Sequence, residues 1–196
     1  MIDEINRHLK AHIDTVNSLG EMLAGPISNC ARVLIDALQG GHKILVMGNG
    51  GSAADAQHFA AEMVGRYLLE RKALPVIALT TDTSILTSVG NDYGFDEIFA
   101  RQVEALASPG DVLIGISTSG HSRNVKRALE VGKAIGTRTI GLLGRDGGEI
   151  APLVELTLTV PGDTTPRIQE AHLLMVHILC DLVEKGLFQS GLGLKR

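Results

Sequence analysis

Between Lys43 and Tyr67 the sequence runs from an apolar stretch, Ile44-Leu45-Val46-Met47, through Gly48-Asn49-Gly50-Gly51-Ser52, into a segment of helical spacing that carries His58 and Glu62. No other stretch restricts the fold so much. A buried strand ends at a glycine-rich turn, and the turn opens a helix whose free N–H groups and positive dipole end suit an anion such as a phosphate. His58 and Glu62 stand four residues apart, on one helix face. Together they could bind a metal or divide acid and base work between them. The plainer alternative is a packing or surface histidine beside a solvated acid.

The pattern around this stretch alternates. Ile2, Ile5, Leu9, Ile13, Val16 and Leu19 predict an amphipathic helix over residues 2–19. Pro26, a good first-turn residue, predicts a second helix, with Ile27, Cys30, Val33, Leu34 and Leu38 on one face and a stop at Gly40-Gly41. The two apolar stripes could cover a sheet or meet another subunit. Pro75 to Leu79 reads as a second strand, followed by a short helix over Ser84–Val89 and a loop at Gly90-Asn91-Asp92-Tyr93-Gly94. Phe95, Ile98, Phe99, Val103 and Leu106 have helical spacing. Val112–Ile116 is a third strand, then come a helix over Ser122–Ile135, a strand over Thr139–Leu143, an alternating and less buried strand within Leu153–Val160, and a long helix over Thr165–Leu187. Continuously apolar strands alternating with helices argue for a parallel sheet covered on both faces. Ligands in such folds bind beyond the carboxyl ends of the strands, where the Asn49–Ser52 and Ser117–Ser122 turns lie.

Composition narrows the partners. A formal charge of −4 offers no basic field for nucleic acid, so a phosphate site must be local. With 44% hydrophobic residues, 3% aromatics and no Trp, the core must be aliphatic. Cys30 and Cys180 are the only cysteines and read as buried free thiols. No apolar run reaches the ~18 residues of a membrane span, and the N-terminus shows early acids and no signal-like apolar region. A cytoplasmic protein is expected.

Two further groups carry chemistry. Ser117-Thr118-Ser119-Gly120 with Ser122 places four hydroxyls at a strand end and a helix start, which suits a phosphate dianion without a lysine. The alternative is that Ser122 caps its helix and the others tie up loop backbone. Gln169, Glu170, His172 and His177 all lie on the last helix. Gln169 and His177 are about 12 Å apart along a straight helix and roughly 80° around it. A common metal would strain both, so one shared site and sites in different subunits both stay open.

The segments Gly48–Ser52, His58-Phe59-Ala60-Ala61-Glu62 with Gly65-Arg66-Tyr67, Gly90-Asn91-Asp92, Gly115–Gly120 and Arg167-Ile168-Gln169-Glu170 followed by His177 resemble those of the sugar-isomerase-domain (SIS) proteins. Glu62 with His177 narrows the resemblance to the bacterial phosphoheptose isomerases, over nearly the whole chain. It implies one α/β domain over 1–196, with two extra N-terminal helices in 1–40. The core, 41–196, would be a three-layer sandwich around a five-stranded parallel sheet, flavodoxin-like. A homotetramer with active sites at subunit contacts is implied, and no nucleic acid or membrane partner. The implied reaction converts D-sedoheptulose 7-phosphate to D-glycero-D-manno-heptose 7-phosphate through an enediol, the first step towards the ADP-heptose of lipopolysaccharide. Implied substrate contacts are Asn49, Gly50, Gly51, Glu62, Asn91, Asp92, Ser117, Thr118, Ser119, Ser122 and Gln169. Implied catalytic residues are Glu62 as base and His177 as acid. One zinc ion per subunit is implied, on His58, Glu62, Gln169 and His177. A non-catalytic SIS relative that tetramerises and binds the replication initiator DnaA is the alternative. It has asparagine where His177 stands, so Glu62 and His177 together favour the enzyme. Regulatory SIS sensors usually carry an added DNA-binding domain, for which this length leaves no room.

Overall fold

The structure, a computed structural model, describes residues 1–189. Residues 190–196 of the expected domain lie outside that range. Strands β1 (Ile44–Gly48), β2 (Val76–Ala78), β3 (Val112–Ser117), β4 (Arg138–Gly144) and β5 (Leu156–Val160) form one sheet in the order β2-β1-β3-β4-β5. Every neighbouring pair is parallel. This is the expected five-stranded, flavodoxin-like sheet. All residues of β1 and β3 are buried, which is why their sequences are apolar runs and do not alternate. β5 lies at the edge, and its alternation follows from that: Leu158 and Val160 face the core while Thr157 and Thr159 are half-buried.

Among the described residues six α-helices flank the sheet: α1 (Ile2–Gln39), α2 (Gly51–Val64), α3 (Thr83–Asp92), α4 (Ala100–Leu106), α5 (Arg123–Ile135) and α6 (Thr165–Phe188). Alternate residues of β1 feed two cores. Ile44 and Val46 pack with Leu34, Phe59, Met63, Met175 and Leu179, on the side of α1, α2 and α6. Leu45 and Met47 pack with Phe99, Val103, Val125 and Leu129, on the side of α4 and α5. The sheet order reverses between β1 and β3, so a crevice opens beyond their carboxyl ends. Both α2 and α5 start there.

Three local expectations are corrected. The two N-terminal helices are one helix of 38 residues, with Pro26 inside it. Pro26 removes one helical hydrogen bond, at a cost of about 3 kcal/mol. Leu19, Leu23, Ile27, Cys30, Ala31 and Leu34 form one buried stripe across it, and that burial outweighs the break. Gly25 has no Cβ for the proline ring to strike, which eases the helical conformation just before it. Upstream, Ile2, Ile5, Leu9 and Ile13 are more than half exposed, so the first turns of α1 present an uncovered apolar stripe. Second, Gly90, Asn91 and Asp92 form the last turn of α3 and not a loop. Asp82 caps that helix by accepting from the Ile85 N–H at 2.9 Å, and Asn91 donates to Asp92 at 2.7 Å. Third, Phe95–Glu97 is a 3₁₀ turn with Phe95 exposed, and regular helix starts again only at Ala100.

Candidate active site

The turn after β1 and the turn after β3 face each other across the crevice. Asn49 and Asn124 join them with reciprocal amide bonds, each 2.8 Å. Asn124 is buried and also accepts from the Val125 N–H at 2.9 Å, so it fixes the start of α5. Nothing in its sequence surroundings marks it out, and sequence reasoning missed it. In the hydroxyl loop, Ser117 pairs with Ser122 at 2.9 Å and accepts from the Gly120 N–H at 3.1 Å, while Ser119 accepts from the His121 N–H at 3.1 Å. Ser122 stands at the N-cap of α5, yet its hydroxyl does not cap the helix. Gly120 has φ +70° and lies so close to Gly147 that a Cβ would come within 2.3 Å of that backbone. A cavity of about 560 Å³ opens here, with Asn49, Tyr93, His121, Ser122 and Asn124 in its walls. Asn91 and Asp92 directly precede the Tyr93–Asp96 wall. The N-termini of α2 and α5 and the loop hydroxyls give this crevice an anion-binding character.

A second cluster lies along the seam between α2 and α6. His58 Nε2 is 3.2 Å from Glu62 Oε1 and 3.1 Å from His177 Nε2. One ligand atom from each of the three residues falls within 4.8 Å of the others. Two imidazole nitrogens at that distance either share one proton or turn both lone pairs to one cation. Tetrahedral coordination with bonds of about 2.0–2.1 Å puts ligand atoms roughly 3.3 Å apart, so the spacing fits a metal. The His58 ring meets His177 edge-on, and the Tyr67 ring stacks on it with centroids 5.8 Å apart. Asp55 shares the α2 stripe of Gly51, His58 and Glu62. Burial raises its pKa, His58 partly offsets this, and its Oδ2 is buried without a partner.

His58, Glu62 and His177 are thus brought together, and Gln169 is placed elsewhere. A Cβ on Gly51 would meet the Gln169 amide nitrogen at 2.4 Å, so the bare glycine admits Gln169 to the turn that opens α2. Gly51 is seven residues before His58, about 10 Å along the helix. With Gln169 at Gly51 and His177 at His58, α2 and α6 run side by side in the same direction.

The other histidine of α6 belongs to the core. His172 is buried, donates from Nε2 to the Leu143 carbonyl at 2.9 Å, and leaves Nδ1 without a partner. Burial, only partly offset by that bond, pulls its pKa from 6.5 to about 4. The unfolded chain therefore binds the proton more readily. This contribution to stability is complete above about pH 6.5 and is lost as pH falls towards 4. The loss amounts to about 3 kcal/mol. Chemical denaturation of the wild type and of His172→Gln, which keeps a donor for Leu143, should show the variant losing less stability over this window. Parallel pH profiles would refute the assignment.

Comparison with known proteins adds a third line. The model of the SIS domain family matches residues 7–144. A phosphoheptose isomerase of Geobacter sulfurreducens is 64% identical over 188 residues, 96% of this chain and 100% of the relative. Among solved structures, the phosphoheptose isomerase GmhA from Neisseria gonorrhoeae superposes with a TM-score of 0.89 at 45% identity, covering 93% of this chain and 98% of that one. A phosphoheptose isomerase from Francisella tularensis gives a TM-score of 0.91 at 38% identity, covering 94% and 98%.

Proposed function

We propose, for a chain that belongs to the SIS domain family and within it to the phosphoheptose isomerases, that it converts D-sedoheptulose 7-phosphate to D-glycero-D-manno-heptose 7-phosphate. The observation that best supports this chemistry is the convergence of Glu62, His58 and His177 along α2, the helix that opens at the anion-binding crevice. Moving a carbonyl from C2 to C1 needs one base to shuttle a carbon-bound proton and one acid to serve the oxygens. In this reading Glu62 takes the proton from C1, a cis-enediol forms, and Glu62 returns the proton to C2. His177 donates to O2 and accepts from O1, so protons balance and nothing is oxidised overall. The hydroxyls of Ser117, Thr118, Ser119 and Ser122 hold the phosphate. Asn49, Gly50, Gly51, Asn91, Asp92 and Gln169 line the path of the sugar.

His58, Glu62 and His177 are the residues of this chain that would hold zinc, one ion per subunit. Zinc held there would act as a Lewis acid for the negative charge that develops on the enediol oxygens. Gln169 stands against Gly51 in the same chain, about two helical turns from His58, so as a zinc ligand it would have to serve a different subunit's site from His177. A homotetramer suits the exposed stripe of Ile2, Ile5, Leu9 and Ile13, because an apolar face of that length is normally covered. Among the described residues no helix is long and apolar enough to cross a membrane. We place the reaction in the cytoplasm, as the first step towards ADP-heptose and the lipopolysaccharide core. The relatives described above are all named as isomerases, which favours catalysis over binding of DnaA.

Incubating the purified protein with sedoheptulose 7-phosphate and following aldose formation tests this. We expect turnover that a chelator suppresses and zinc restores, and its loss in His177→Asn. No turnover with zinc present would remove the isomerase reading.

A further inference from the structure

Beyond the α2–α6 cluster, a buried ion pair joins the two helices that carry Glu62 and His177. Glu184 lies seven residues after His177 on α6, on the same face. Its side chain and that of Arg71 are 1% and 2% exposed. The Glu184 carboxylate accepts three successive backbone N–H groups, from Tyr67 at 3.1 Å, Leu68 at 2.8 Å and Leu69 at 2.7 Å, and the Arg71 Nε–H at 3.1 Å. Arg71 in turn donates to the carbonyls of Glu62 at 2.9 Å, Met63 at 2.7 Å, Gly65 at 3.2 Å and Lys72 at 3.0 Å. The first two are last-turn carbonyls of α2, which have no partner within the helix. One carboxylate therefore folds the segment after α2 back onto α6, and one guanidinium closes the end of the helix that bears Glu62. That fold-back lays the Tyr67 ring on His177, with 29° between the ring planes.

We propose that Tyr67, Arg71 and Glu184 are positioning residues for the isomerisation, with the ion pair locking the end of α2 to α6 and the Tyr67 ring holding the His177 imidazole towards His58 and Glu62. The inference rests on the isomerase reading above. A histidine on a half-buried helix face can turn about two side-chain torsions. Here Tyr67 covers one side of the ring and His58 meets it edge-on at 5.0 Å, which selects one orientation. Proton transfer depends steeply on such placement, and an error of about 1 Å can cost about a hundredfold in rate. The plainer role, holding the fold together, can be separated from this one. Tyr67 gives Glu184 only its backbone N–H, which any residue but proline retains. Changing the ring thus leaves the ion pair and its hydrogen bonds in place.

The test compares the whole chain as wild type, Tyr67→Leu and Tyr67→Phe on sedoheptulose 7-phosphate. In Tyr67→Leu, kcat should fall about tenfold to a hundredfold with KM within about threefold, and Tyr67→Phe should recover most of the loss. Melting midpoints of the three should stay close. A second readout needs no turnover. The His177 ring protons, assigned in NMR spectra by their loss in His177→Asn, should feel the aromatic ring current in wild type and Tyr67→Phe and lose it in Tyr67→Leu. Full kcat in Tyr67→Leu, or a loss that Tyr67→Phe does not recover, overturns the proposal. So does an unmoved His177 resonance in an active enzyme. An inactive wild type overturns the isomerase reading as well, and is told apart by the first assay alone.

Discussion

Replacing Glu62 with glutamine should lower kcat by about 10²- to 10⁴-fold, the usual contribution of a positioned general base. The amide has nearly the shape of the carboxylate, and its oxygen can still accept a hydrogen bond, so the contact with His58, 3.2 Å from Glu62, can survive. What the amide lacks is a basic oxygen for a carbon-bound proton. The loss should therefore fall on the chemical step, with KM changed by only a few-fold. Hydrogen exchange at carbon gives an independent measure. In deuterated water the wild type should place solvent deuterium in the sugar, and Glu62→Gln should do so far more slowly. Because Glu62 is also a proposed zinc ligand, the metal content of both proteins must be measured. A variant that keeps its zinc and loses turnover isolates the base. One that loses both and regains full turnover on zinc addition would leave Glu62 as a ligand alone. Turnover within about threefold of wild type would end the base assignment.

Local chemistry was the legible part of this molecule. β1 and β3 were plain in the sequence because central parallel strands are buried on both faces and must be apolar throughout. His58 and Glu62 were legible as a pair because one helical turn separates them. Their meeting with His177, 119 residues beyond His58, follows from the parallel packing of α2 and α6, which no spacing encodes. The resemblance supplied it. Elsewhere tertiary burial overrode local signals. Pro26 reads as a helix start, yet a stripe of buried residues carries α1 through it. Gly90-Asn91-Asp92 has loop composition, yet it completes a helix capped by Asp82 eight residues before Gly90. Asn124, Arg71 and Glu184 left no trace, because a lone amide or charge in sequence is usually a surface residue. Only the fold shows that these three are buried and matched.

Arg71→Met should destabilise the protein by about 3–5 kcal/mol, the cost of removing one partner from a buried ion pair and leaving the other charge behind. Replacing both partners of such a pair with apolar residues is often neutral or better, since no buried charge remains. Here that rescue should fail. Glu184 also satisfies the N–H groups of Tyr67, Leu68 and Leu69, and Arg71 satisfies the carbonyl of Glu62. An apolar pair would orphan these groups, at about 1–3 kcal/mol for each that stays buried. Arg71→Met with Glu184→Leu should thus be no more stable than Arg71→Met alone, as urea unfolding at fixed protein concentration would measure. Acid gives a second check. Burial by itself would raise the Glu184 pKa, but the three backbone N–H groups and Arg71 outweigh it and hold the carboxyl below its ordinary value of 4.5. Its stabilisation is then complete above that pH and is lost as pH falls through the lowered folded-state value. The stability gap between wild type and Glu184→Gln should be widest near neutrality and should narrow on acidification. A double variant restored to wild-type stability would show that the pair acts as an isolated salt bridge, with no part in holding the backbone between α2 and α6, and a gap that widens in acid would show that the Glu184 carboxyl is not held below its ordinary pKa.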